Sequence, residues 1–133
     1  MNERPTGIVI VSIVIIIEVA LTFLTIFQDF DINLVIGLFD LVTIIFGLIA
    51  VYGLLNLKPW GWIAGIAYAI YDIIVSALAA FFFADLFAES IKSLGLNVDV
   101  YKSDLLFGFI FALILDLIII YYVYSQKEYF IPD

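Results

Sequence analysis

The apolar positions of this chain fall into four long runs separated by short polar breaks. The runs at 7–27, 34–55, 60–83 and 104–124 each match the roughly 20 apolar residues a helix needs to cross a bilayer. None alternates apolar and polar residues as a transmembrane strand does. A backbone in lipid must also satisfy its own hydrogen bonds, so each run predicts a transmembrane helix. The breaks predict the connections. Residues 28–33 (QDFDIN) read as a short acidic turn. Residues 56–59 (NLKP) read as a tight link, with Pro59 at the start of the third helix, where a missing N–H matters least. Residues 84–103 form the one sizeable loop, with Ser103 or Asp104 as N-cap of the last helix. Inside that loop Phe87, Ile91 and Leu94 recur at i, i+4 and i+7, while Asp85, Glu89 and Lys92 lie elsewhere on the turn. This predicts a short amphipathic helix ended by Gly95, which caps the bundle or, alternatively, serves as a binding lid. Residues 1–6 and 126–133 read as polar ends. The expected fold is all-α: a single four-helix transmembrane domain over 1–133. Its short links make the first three helices antiparallel neighbours in an antiparallel bundle.

Composition agrees with this pattern. The chain is 66% hydrophobic with a mean hydropathy of +1.25, whereas soluble domains are about 45–50% apolar. Arg4 precedes the first run, as in a signal peptide, but the run continues to Phe27 without a small-residue cleavage signature and carries Glu18. It is therefore expected to be a retained helix. Thirteen acids against five bases give a formal charge of −8, which argues against a nucleic-acid partner. The absence of cysteine and histidine excludes disulfides, thiol catalysis, histidine-ligated haem and the usual zinc sites. Arg4, Lys58 and Lys127 fall on the side of the chain ends, in very short segments, and Lys92 and Lys102 on the other. The positive-inside bias then predicts a multi-pass cell-membrane protein with both termini in the cytoplasm. Tyr52, Trp60, Trp62, Tyr121, Tyr122 and Tyr124 would form an aromatic belt on that same side.

Each run carries one carboxylate in its apolar body: Glu18, Asp40, Asp72 and Asp116. No base lies within a run to pair with them. At ~1.5 Å rise per residue, Glu18 and Asp72 lie about 17 Å and Asp116 about 13 Å from the terminal side, with Asp40 about 10 Å from the opposite one. All four therefore belong to the central part of the bilayer. Each lies on or beside a stripe of small or hydroxyl-bearing residues. Glu18 is followed by Thr22. Asp40 shares a stripe with Thr43, and Asp72 shares one with Gly61, Gly65, Ala69 and Ser76. Asp116 continues Gly108 and Ala112. Small faces allow close helix packing, so the acids are expected to point into the bundle or into an interface between bundles. Gly61 and Gly65 form a GxxxG pair, suited to packing within the bundle or to dimerisation. An acid at a helix centre costs about 2.5–3.5 kcal/mol on the most permissive scale, and four would approach about 10 kcal/mol if simply added. Mutual repulsion adds to this, so either most are protonated or a cation sits among them. Three readings follow: a mid-membrane proton or cation site, protonated acids acting as interhelical glue, or acids paired with a base on a neighbouring subunit.

RPTGI at residues 4–8, KPWGW at 58–62 and EYF at 128–130 resemble a family of small, uncharacterised four-helix integral membrane proteins of archaea and some bacteria. The resemblance lies at the helix junctions and does not include the acids. It implies a prokaryotic cell membrane and the same four-span plan, and it implies no activity. No nucleophile–base pair, nucleotide motif, cofactor motif or metal motif is present. The expected function is a non-enzymatic structural or accessory membrane protein, a homo-oligomer or a subunit of a larger assembly. The alternative is a small oligomeric proton or cation conductor using Glu18, Asp40, Asp72 and Asp116.

Overall fold

The computed structural model describes residues 4–131. Residues 1–3 and 132–133, parts of the polar ends expected from the sequence, lie outside the described residues. The chain is helical throughout, with α1 at Thr6–Ile32, α2 at Leu34–Leu55 and α3 at Gly61–Leu78. A π-helical segment at Ala79–Phe83 leads into the short α4, Ala84–Leu86, followed by α5 at Ala88–Ser93 and α6 at Val98–Ser125. A single 3₁₀ turn, Lys127–Tyr129, follows α6. Four helices are long and apolar enough to cross a membrane: Thr6–Ile32, Leu34–Leu55, Gly61–Leu86 and Val98–Ser125.

Three boundaries differ from the sequence reading, each for a local reason. The expected turn at 28–33 contracts to one extended residue, Asn33. Its N–H closes α1 on the Asp29 carbonyl at 3.0 Å, and its side chain accepts from the Val35 N–H at 2.8 Å. One residue thus ends one helix and caps the next, so the acids before it remain helical. The α6 N-cap is Asn97, whose Oδ1 accepts from the Val100 N–H at 3.0 Å, and neither Ser103 nor Asp104. This adds turns to α6 from a segment whose polarity resembled loop. The third span also runs past Phe83, through the wide π turn, to Leu86. The expected 84–103 loop is correspondingly short, and α5 sits within it.

Two helix ends share one hydrogen-bond pattern. After α5, Gly95 takes φ +79°, and the Leu96 N–H reaches back to the Ile91 carbonyl at 3.2 Å while the Gly95 N–H meets Lys92 at 3.0 Å. After α2, Leu57 takes φ 48°, and the Lys58 N–H reaches the Gly53 carbonyl at 3.0 Å. Both are left-handed helix stops, but only the first uses a residue without the Cβ penalty. Leu57 accepts strain of about 1–2 kcal/mol there and packs its side chain against the main core.

Side-chain packing runs along the chain, α1 on α2, α2 on α3 and α3 on α6. Close approach of α2 and α3 depends on two glycines facing each other. A Cβ on Gly61 would strike the Gly53 carbonyl, and one on Gly53 would lie 2.9 Å from the Gly61 Cα. One apolar cluster gathers Ile8, Ile15, Leu54, Tyr68, Val123 and Phe130, drawing on every long helix. Phe130 is 2% exposed, so the tail after α6 folds back onto the core and is not simply polar. A second cluster joins Ile32, Ile36, Phe83 and Ile91 at the other end. The outward surface is apolar as well: Leu24, Phe27, Phe107 and Phe111 are all about 70% exposed. Apolar exposure on this scale is untenable in water and suits a lipid bilayer.

Gly108 is exposed with open space around it, so it packs against no helix of this chain. Eight residues rotate a helix by about 80° net, which carries Gly108 off the Asp116 face. Gly61→Val is therefore expected to destabilise the protein by about 1–3 kcal/mol, and Gly108→Val by under about 0.5 kcal/mol. Asn33→Ala, which removes one cap, should cost about 1 kcal/mol. Denaturant unfolding in detergent micelles, followed by circular dichroism, measures all three.

Candidate functional site

Three of the four intramembrane acids converge. Glu18 on α1, Asp72 on α3 and Asp116 on α6 present carboxylate oxygens within 4.8 Å of one another. The inward stripe of α6 explains the placement of Asp116. Ala112, Asp116, Ile119 and Val123 are its buried residues, and Ala112 one turn away leaves room beside the carboxylate. On α3, Gly65, Tyr68 and Ala69 are buried, and Asp72 continues that face one turn on from Tyr68.

Tyr68 organises the site. Its ring is fully buried and its hydroxyl donates to Glu18 Oε2 at 2.9 Å, linking α3 to α1. Phe46 of α2 meets the ring edge-on at 5.9 Å. A Cβ at Gly47 would come within 3.2 Å of the ring and would strike Val19, so the seat of Tyr68 requires glycine there. The sequence reading did not single out Tyr68, although its position four residues before Asp72 places both on one helix face.

Asp116 differs from its neighbours. It is 0% exposed, and neither of its carboxylate oxygens has a hydrogen-bond partner. Buried polar atoms are nearly always paired, and each exception calls for a physical reason. Glu18 and Asp72 are the carboxyls beside it. No base enters the centre, and the one ion pair among the described residues, Lys102–Asp85 at 3.0 Å, lies on the surface.

The threonine hydroxyls expected to support the acids are engaged elsewhere. The Thr22 hydroxyl donates to the Glu18 backbone carbonyl at 2.9 Å, and Thr43 donates to the Phe39 carbonyl at 2.9 Å. Thr43 also meets the Tyr71 hydroxyl at 3.3 Å. Ser76 is half-buried one turn beyond Asp72. Gly61 and Gly65 face α2 within the chain, near Gly53 and Leu54 respectively.

Asp40 stands apart from the other three. It lines a cavity of about 290 Å³ together with Asp29, Gln28, Thr25 and Tyr101. Its Oδ2 is buried without a partner, and Asp29 lines the same cavity. Phe39 and Phe83 form part of the apolar wall. Asp40 sits two turns from the start of α2 and so falls level with the end of α1, not with Glu18. Tyr71, whose hydroxyl donates to the Phe39 carbonyl at 2.9 Å, lies within electrostatic reach of both Asp40 and Asp72.

The centre offers only oxygen donors: three carboxylates and a phenol. Such a set suits protons and hard cations. No family model, curated protein or solved structure matches the chain.

Tyr68→Phe keeps the ring and removes the bond to Glu18. Because it strips a partner from a largely buried carboxyl, it should destabilise the fold by about 1–3 kcal/mol. In a double-mutant cycle, Glu18→Gln should recover part of that loss through coupling between the two positions. Unfolding midpoints in detergent for the wild type, both single variants and the double variant provide the check.

Proposed function

We propose that this chain is a multi-pass, non-enzymatic protein of the cell membrane, an antiparallel four-helix bundle that holds and passes a proton or small cation at its Glu18–Asp72–Asp116 centre. The observation that carries this reading is Asp116, fully buried and unpartnered beside two further carboxyls. Interhelical glue would use its oxygens, whereas here they stand open toward the other acids. An ionisable group within a membrane segment is a functional group by default.

The two ends of the bundle differ in a way that suits loading from one side. Between the centre and the chain ends lies the apolar cluster of Ile8, Leu54, Val123 and Phe130. Toward the other end lie Tyr71 and the Asp29–Asp40 cavity. The ion reaches the acids through that cavity, and passage requires the apolar layer to part. The N- and C-termini face the cytoplasm, in keeping with the bias in basic residues. The short α5 acts as an amphipathic cap over the loaded side, with Ile91 turned inward and Glu89 outward. Assembly into a homo-oligomer would add helix faces around so small a bundle.

A second reading rests on the Tyr68–Glu18 bond. It ties α1 to α3 and would serve a purely structural or accessory subunit equally well.

Flux of protons and alkali cations into liposomes separates the two. Wild-type protein is expected to carry flux, and folded Asp72→Asn should fall to the protein-free background. Equal flux in both shows that the acid centre does not carry it and overturns the reading, and none from either while both remain folded favours the accessory role.

A further inference from the structure

We infer that the Glu18–Asp72–Asp116 centre is a coordination site for a hard divalent cation of about the size of Ca²⁺ or Mn²⁺, with Tyr68 as the residue that positions Glu18. This rests on reading the centre as a proton or cation site, and it names the ion. The first support is the donor set. Three carboxylates from three helices bring one oxygen each within 4.8 Å of the others. Oxygens no farther apart than this can face one hard cation together. Mg²⁺ demands near-ideal octahedral geometry and gives up its waters reluctantly, so three carboxylates from three separate helices suit the more permissive shell of Ca²⁺ better.

The second support is independent of the clustering. Asp116 is fully buried, and both its oxygens lack any partner. An acid whose acceptor atoms are wholly withdrawn from water and unused is poised for a ligand that donates charge. Charge balance then selects the valence. A monovalent ion offsets one of three carboxylates and a divalent ion two, and at low dielectric every uncompensated charge is expensive. Among the described residues no lysine or arginine pairs with these acids in place of a metal. The role of Tyr68 follows from its bond to Glu18 Oε2. By occupying one oxygen, it orients the other toward the remaining acids, as outer hydrogen-bond partners do in metal sites.

The test is a Mn²⁺ titration of the full chain in nanodiscs, followed by the six-line electron paramagnetic resonance signal of free aqueous Mn²⁺. The expected result is one Mn²⁺ bound per chain, displaced by Ca²⁺ more readily than by Mg²⁺. Asp116→Asn and Glu18→Gln should each weaken binding at least about tenfold, and Tyr68→Phe by a comparable factor. Glu89→Gln, an exposed change on α5, should bind as wild type. Variants are compared where circular dichroism and gel filtration match the wild type. Absence of Mn²⁺ binding by the folded wild type overturns the proposal. So does unchanged binding in a folded Asp116→Asn or Glu18→Gln. Proton flux into divalent-free liposomes separates the failures. Flux that depends on Asp72 without Mn²⁺ binding leaves the functional reading standing and removes only the divalent ion. Loss of both removes both.

Discussion

Three carboxyl groups, one fully buried and two partly buried, share one small volume, and among the described residues no base shares it with them. The rest of the structure depends on that constraint. Two charges removed from water repay their desolvation only with excellent geometry and saturated hydrogen bonds. Here one phenol supplies one hydrogen bond, to Glu18, and the deepest acid receives none. The centre is therefore held together by its surroundings. Helices α1, α3 and α6 must be fixed well enough by apolar contacts to keep their acids close despite mutual repulsion.

The apolar contacts are arranged to do this. The glycine pair at Gly53 and Gly61 brings the backbones of α2 and α3 together at the terminal end. Gly47 leaves the space in which the Tyr68 ring lies, and Phe46 closes over the ring edge. Tyr68 belongs both to the apolar cluster and to the acidic centre. It is the point where packing is converted into orientation of a carboxylate. The same end carries the aromatic rings: Trp60 stacks on Tyr52, Trp62 meets Tyr124, and Lys127 lies over Tyr124 at 4.2 Å.

Much of the helical plan was legible in the sequence, because span length and apolarity are set by the bilayer and not by detail. The second span, Leu34–Leu55, coincides with its expected bounds. Two of the ends that moved were governed by asparagine. Asn33 and Asn97 start helices through side-chain hydrogen bonds, and an apolar-run reading has no means of weighing these. The acids were visible as a set, but their partition was not. Asp40 falls away from the other three because depth along a helix and level within a bundle are different quantities once α1 extends to Ile32. Tyr68 was hidden among apolar neighbours, although its i−4 relation to Asp72 was in plain view. Gly108 was grouped with Ala112 and Asp116, but the helical rotation carries it outward, where no other part of this chain lies beside it.

The wide turn at Ala79–Phe83 bears on how this chain can vary. A π turn spends one residue more than an α turn, so the positions beyond it are out of phase with those before it by roughly 100°. Phe83, the last residue of that turn, belongs to the second apolar cluster with Ile91. The chain is thus sensitive here to length more than to composition. An exchange of one apolar residue for another within AAFFF keeps the phase, whereas a single deletion would swing α4 and α5 around the helix axis and uncover the end of the bundle that the Asp29–Asp40 cavity occupies.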